Sequence, residues 1–241
     1  MSYAIAPGGL AAVLAHPDDE SFGCAGALAL AHDAGATTRL LVVTRGEAGS
    51  ADGTSDPALG DRREAELICA ARTIGLDEVS LLDGYADGGI ADQPFDRLVN
   101  EIAAWLAERR PAAVITFGPH GVTGHPDHIL VGSATRWAVE RLADAGTAPH
   151  AVYVISPIFD PSGKRFDLSG EEQSATHRIE ITHVAGRKVE ALGCHASQAD
   201  IGEEVAALKA AVDSGAPIYE GYHRVRPLVP APHPDFDSVL L

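Results

Sequence analysis

Most segments of this 241-residue chain that read as strands are apolar almost from end to end. Residues 10–15, 112–117 and 151–156 carry hardly any polar side chain, and residues 37–44 contain the run Leu40-Leu41-Val42-Val43. A strand with one wet face alternates polar and apolar residues, whereas a strand apolar throughout is covered on both faces, as in the parallel sheets of α/β proteins. With a shorter strand at 79–82, these segments alternate with helical patterns at 22–35, 61–75, 95–110 and 129–145. In the third of these, Leu98, Ile102, Trp105 and Leu106 repeat at helical spacing, and Pro111 stops the run. The order predicts an α/β fold: a Rossmann-like, doubly wound, mainly parallel sheet with a C-terminal extension.

Glycines and Asp56-Pro57 break any periodicity over residues 45–60, and residues 84–93 form a second loop. Beyond Pro157 the pattern changes. A polar loop over 159–174 precedes an edge strand or β-addition at 177–182, helices at 186–194 and 201–212, and an extended proline-rich tail from Pro227. We read a single domain, 1–241, with the core sheet in about 1–158 and the extension in 159–241.

Asp plus Glu number 34 against 18 Lys plus Arg, a net charge of −16. Nucleic acids and anionic membranes require basic surface, so neither is an expected partner. A neutral or cationic small molecule suits the balance, and a homo-oligomer is compatible with it. Cys24, Cys69 and Cys194 are odd in number and far apart in sequence. They read as small buried hydrophobes in a reducing compartment rather than a disulfide framework. No apolar run approaches the roughly twenty residues of a membrane span. Residues 1–9 lack the basic start of a signal peptide, so a cytoplasmic location is expected.

The chemistry concentrates at two turns. Ala15-His16-Pro17-Asp18-Asp19-Glu20 follows the first strand, and Gly124-His125-Pro126-Asp127-His128 follows the fourth. In a doubly wound sheet both open on the rim where ligands bind. Clustered carboxylates there call for a cation. Imidazole nitrogen with carboxylate oxygen suits Zn²⁺ or Fe²⁺, and neither turn holds a thiolate. His16, Asp19 and His128 are assigned as ligands, although spacing alone does not separate His128 from His125. Three protein ligands leave a position for water, and Asp18 is then free to take its proton. Either turn alone could be an ordinary one, with Asp18 or Asp19 capping a helix.

These two motifs together resemble the PIG-L/LmbE-like zinc deacetylases, which remove N-acetyl groups from glucosamine-type substrates. Smaller matches lie at Thr44-Arg45-Gly46-Glu47, at Arg63 to Gly75, at Gly84 to Gly88 and at Lys188 to Gln198. Ile74 stands where the family pattern has Leu. The resemblance implies His16, Asp19 and His128 as ligands of Zn²⁺ (or Fe²⁺), Asp18 as base and His125 as the electrostatic or acid group. It implies an N-acetylated sugar or sugar conjugate as substrate, with larger N-acyl conjugates as an alternative.

The outer residues have competing roles. Arg63 could bind sugar hydroxyls or pair with Glu66; Asp87 could bind a hydroxyl or shape a turn. Glu20 and Asp127 fit support of the turns or of a histidine. His195 could reach the pocket edge or lie on the surface. Rival classes are a non-haem iron oxygenase, which shares a two-His, one-carboxylate ligand set, and a non-catalytic Rossmann-like binding module. The first counts against the α/β pattern. The second lacks the glycine fingerprint after the first strand, where His16-Pro17 stands.

Overall fold

A computed structural model of the chain describes residues 8–49, 57–157, 166, 168–198 and 201–226. Seven strands form one sheet in the order β3-β2-β1-β4-β5-β7-β6. The strands are β1 (Leu10–Leu14), β2 (Thr38–Val42), β3 (Glu78–Leu81), β4 (Ala113–Thr116), β5 (Ala151–Ile155), β6 (His177–Glu180) and β7 (Tyr219–Arg226). The first five run parallel, with Leu10 beside both Thr38 and Ala113. Every residue of β1, β4 and β5 is buried, which explains their unbroken apolar character.

The chain winds outward from β1 through β2 to β3, then returns to the other side of β1 with β4 and β5. The order therefore reverses between β1 and β4. Their carboxyl ends splay apart there and leave a crevice. Both histidine turns open into it.

The helices are α1 (Asp19–Gly23), α2 (Ala25–Asp33), α3 (Pro57–Ile74), α4 (Phe95–Arg109), α5 (Gly121–Gly124), α6 (Pro126–Asp144), α7 (Ala185–Cys194) and α8 (Ile201–Asp213). One layer is α2, α3 and α7 with α8, and the other is α4 with α6. Right-handed crossovers on either side of β1 require this division. Three expected helices differ at their starts. The helix expected at 61 begins at Pro57, so residues 57–60, read as loop, form its first turn. Residues 22–35 divide into α1 and α2 at Cys24, whose ψ of 13° breaks the run. The helix expected at 129 begins at Pro126, because proline is preorganised for a first helical position and His125 caps it. His128 thus sits in the first turn of a helix, with its orientation fixed.

The extension completes the sheet. β6 is the edge strand expected near 177–182, but the sequence reading assigned no strand to β7. It carries Gly221 and mixed polar residues, so it shows no apolar run. What forms it is antiparallel pairing on both sides, with β5 and with β6. Tyr222 is fully buried and donates to Gly23 O and to Glu220. Glu220 in turn accepts from the Gly26 and Ala27 amides at the start of α2 and pairs with Lys188 at 2.6 Å. The expected tail from Pro227 lies outside the described residues.

The cysteines correct an expectation. Cys24 is free and buried, but Cys69 and Cys194 form a disulfide across 125 residues of sequence. Sequence distance concealed this pairing, which arises because α3 packs on α7. It also removes the support that cysteine usage lent to a reducing compartment. No described helix is long and apolar enough to cross a membrane. Closing so long a loop restricts the unfolded chain, so replacing both cysteines by serine should lower stability by about 2–4 kcal/mol. Urea unfolding with and without reductant checks this; equal midpoints would show that the bond contributes nothing.

Candidate metal centre

The end of β1 builds the first half of the site. Asp19 folds back so that Oδ2 accepts from the amides of His16, at 2.8 Å, and Ala15, at 3.2 Å. Its Oδ1 then lies 3.3 Å from His128 Nε2. Asp18 adopts a φ of 105°, a left-handed conformation rare for a residue with a side chain. That turn sends Asp18 and Asp19 different ways. Asp18 lines a cavity of about 310 Å³ together with His16, Asp19, Asp87, His125 and His128. A cleft of about 390 Å³ beside the exposed Trp137 holds none of the candidate residues.

Hydrogen bonds decide which nitrogen of each histidine faces the centre. His128 Nδ1 lies 2.9 Å from the carbonyl of Gly121, which can only accept, so this nitrogen carries the proton. Phe117 stacks flat on the same ring, with centroids 4.1 Å apart. His16 Nε2 lies 3.0 Å from Asp87 Oδ1 and 3.3 Å from Asp127 Oδ2, so there too the proton points outward. The remaining nitrogens, His16 Nδ1 and His128 Nε2, face each other at 3.1 Å. In neutral rings that contact sets one lone pair against another, and a cation relieves it.

The donor set fits a metal. His128 Nε2 lies 3.1 Å from His16 Nδ1 and 3.3 Å from Asp19 Oδ1, while the Asp19 oxygen nearest His16 Nδ1 is Oδ2, at 3.8 Å. Tetrahedral bonds of about 2.0–2.2 Å place donors roughly 3.3–3.6 Å apart. The three nitrogens of His16, His125 and His128 also lie within 4.8 Å of one another, as do donors of His16, Asp87 and Asp127. In the second group, however, His16 uses the nitrogen that already donates to both carboxylates.

The electrostatics agree. Burial lowers the pKa of His16, but hydrogen bonds to Asp127 and Asp87 and the charge of Asp19 outweigh it and hold the ring up at about 10. An arriving cation displaces that proton. Burial, reinforced by the Asp19 charge, raises Asp18 to about 7, against the pull of Arg63. Burial and the neighbouring imidazoles of His16 and His128 lower His125.

The outer residues serve the two turns. Arg63 does not meet Glu66, and it lines the cavity beside Asp18. It is buried, and donates to Asp18 Oδ2 at 2.7 Å, to Gly46 O at 2.8 Å and to Pro17 O. Glu66 instead holds Ser197. Asp87 is turned onto His16 and accepts from the Ala48 amide. Asp127 Oδ2 orients His16 and accepts from Gly88 N. His125 Nδ1 accepts from the Asp127 amide at 3.2 Å, which opposes a charged ring and leaves Nε2 to carry the ring proton. Gly46 O and Gly121 O escaped the sequence reading, because backbone carbonyls leave no residue signal.

His195 is neither at the pocket edge nor on the surface. It is fully buried, with Nε2 2.7 Å from Glu20 Oε1. Burial opposes its charge, but Glu20 raises its pKa overall. Glu20, also fully buried, accepts from Ser21 Oγ and from the Asp18 amide. Replacing His195 by alanine strands a buried carboxylate and should cost about 3 kcal/mol. A urea midpoint equal to that of the parent would show that the pair contributes nothing.

Comparison with known proteins places this geometry. The family model described as PIG-L, GlcNAc-PI de-N-acetylase, matches residues 11–139, a span holding both histidine turns. A 1D-myo-inositol 2-acetamido-2-deoxy-alpha-D-glucopyranoside deacetylase of Nakamurella multipartita is 30% identical, over 96% of this chain and 94% of its own. The enzyme of the same name from Corynebacterium urealyticum is 35% identical over 58% of this chain and 51% of its own. The crystal structure of the conserved protein TT1542 from Thermus thermophilus superposes with a TM-score of 0.70 at 26% identity, covering 93% of this chain and 97% of that one. The chain belongs to the PIG-L family.

Proposed function

We propose that the protein is a metal-dependent N-deacetylase acting on N-acetylglucosamine-type sugars or sugar conjugates. The observation that carries this reading is the convergence of His16 Nδ1, His128 Nε2 and the Asp19 carboxylate beside a carboxylate, Asp18, that is left out of the ligand set. Family membership and the names of the relatives support the substrate class. So does the cavity. Asp18, Asp87 and Glu204 line it together with Arg63 and His125, a polar wall that suits the hydroxyls of a sugar.

His16, Asp19 and His128 would hold the ion. Bound there, Zn²⁺ or Fe²⁺ supplies Lewis acidity and makes water acidic enough to attack near neutral pH. Asp18, held by Arg63, takes the proton of the attacking water as its oxygen bonds to the amide carbon. Neutral His125 donates its Nε2 proton in a hydrogen bond to the carbonyl oxygen as negative charge gathers on it. Cleavage of the C–N bond then returns the Asp18 proton to the nitrogen, and acetate and a free amine leave. Asp87 and Asp127 keep His16 in one tautomer throughout.

A panel of N-acetylated sugars and conjugates, with one longer N-acyl conjugate, tests the substrate class by amine and acetate release. Release should stop on chelation, return with Zn²⁺ or Fe²⁺ and persist without oxygen. No release from any member by metal-loaded protein would sink the proposal. Asp18→Asn should keep the metal and lower turnover by about 10²–10⁴-fold. Unchanged turnover with metal bound would remove Asp18 as the base.

A further inference from the structure

Outside the centre, one buried carboxylate has no place in the chemistry described above. Glu172 lies in the extension, in a turn after residue 168, and is fully buried. Its backbone carbonyl accepts from Ser156 Oγ at 2.7 Å, just past β5. Its side chain reaches the loop after β4. Oε2 accepts from the His120 amide at 2.6 Å and lies 3.0 Å from His120 Nδ1; Oε1 accepts from the Val122 amide at 2.8 Å. His120 Nε2 in turn meets Ser169 Oγ at 3.1 Å.

The segment so held is unusual. Val122 has a φ of 64°, a strained conformation for a β-branched residue. Gly121 between the two clamped amides has a φ of 60°, and a Cβ there would lie 2.6 Å from the Cβ of His128. Gly121 O is the acceptor that fixes His128 Nδ1. A strained conformation persists only where its surroundings over-determine it. Both amides flanking Gly121 are fixed by one carboxylate.

We propose that Glu172 is a positioning residue for the metal centre: it clamps the His120 and Val122 amides so that Gly121 O holds His128 with Nε2 toward the ion. The inference rests on the reading of His128 as a ligand. It extends the site into the C-terminal extension, since the path runs from Ser156 through Glu172 and Gly121 to His128. Glutamine at 172 keeps one oxygen for two amides, so one amide loses its acceptor. Gly118→Ala perturbs the same clamp independently, because a Cβ there would lie 2.4 Å from Glu172 Cγ. His120→Ala removes the imidazole contact and spares both amides.

The test is Co²⁺ affinity, measured by chelator competition on the full chain and followed in the visible spectrum. Loss of an outer partner of a metal-binding histidine typically costs 10- to 100-fold in affinity. Glu172→Gln and Gly118→Ala should each weaken Co²⁺ binding about tenfold, with His120→Ala within twofold of the parent. Parent-like affinity in folded Glu172→Gln, or in Gly118→Ala if the first variant does not fold, overturns the inference. So does a loss in His120→Ala equal to that in Glu172→Gln. His128→Ala separates the two layers: if it too binds Co²⁺ like the parent, the ligand assignment itself fails.

Discussion

Two imidazole nitrogens, His16 Nδ1 and His128 Nε2, are held 3.1 Å apart with a carboxylate beside them. Much of the surrounding structure exists to keep that approach in place. Each ring is fixed from behind: His16 by Asp87 and Asp127, His128 by Gly121 O and the face of Phe117. These outer contacts set the tautomers, and the tautomers aim both lone pairs at one point. A bound cation makes such an approach favourable, as does the proton His16 carries before the cation arrives.

The sheet supplies the proximity. His16 and His128 are separated by 112 residues but follow neighbouring parallel strands at the position where the strand order reverses. The crevice comes from topology, and the side chains come from the two turns. The extension then closes the rear of the site. His195 at the end of α7 holds Glu20, which accepts from the Asp18 amide, while Arg63 from α3 holds the Asp18 carboxylate. The Cys69–Cys194 disulfide joins those same two helices. The orientation of Asp18 therefore depends on α3 and α7 being correctly docked.

Much of this was legible in the residues. Continuous apolar strands imply burial on both faces, and His-Pro-Asp turns after β1 and β4 mark the rim. The outer assignments were less legible. Arg63 could be placed on its helix, but nothing within a turn of it reports that its guanidinium crosses to Asp18 and Pro17. Asp87 could bind a hydroxyl or shape a turn, and nothing local reports that it also reaches His16. His195 could reach the pocket edge or lie on the surface by sequence, yet the packing of α7 buries it completely. β7 escaped because its stability comes from two pairing partners distant in sequence.

The amino-acid sequence by itself determined the α/β class, the parallel core and the donor types of the two histidine turns. Periodicity and turn chemistry are local, and they act over a few residues. Only the tertiary structure decided which nitrogen of each histidine faces the centre, which cation holds Asp18, which cysteines join and where β7 inserts. Those outcomes depend on contacts across tens to more than a hundred residues. They are set by how the helices and the extension pack on the sheet, and no local pattern encodes that packing.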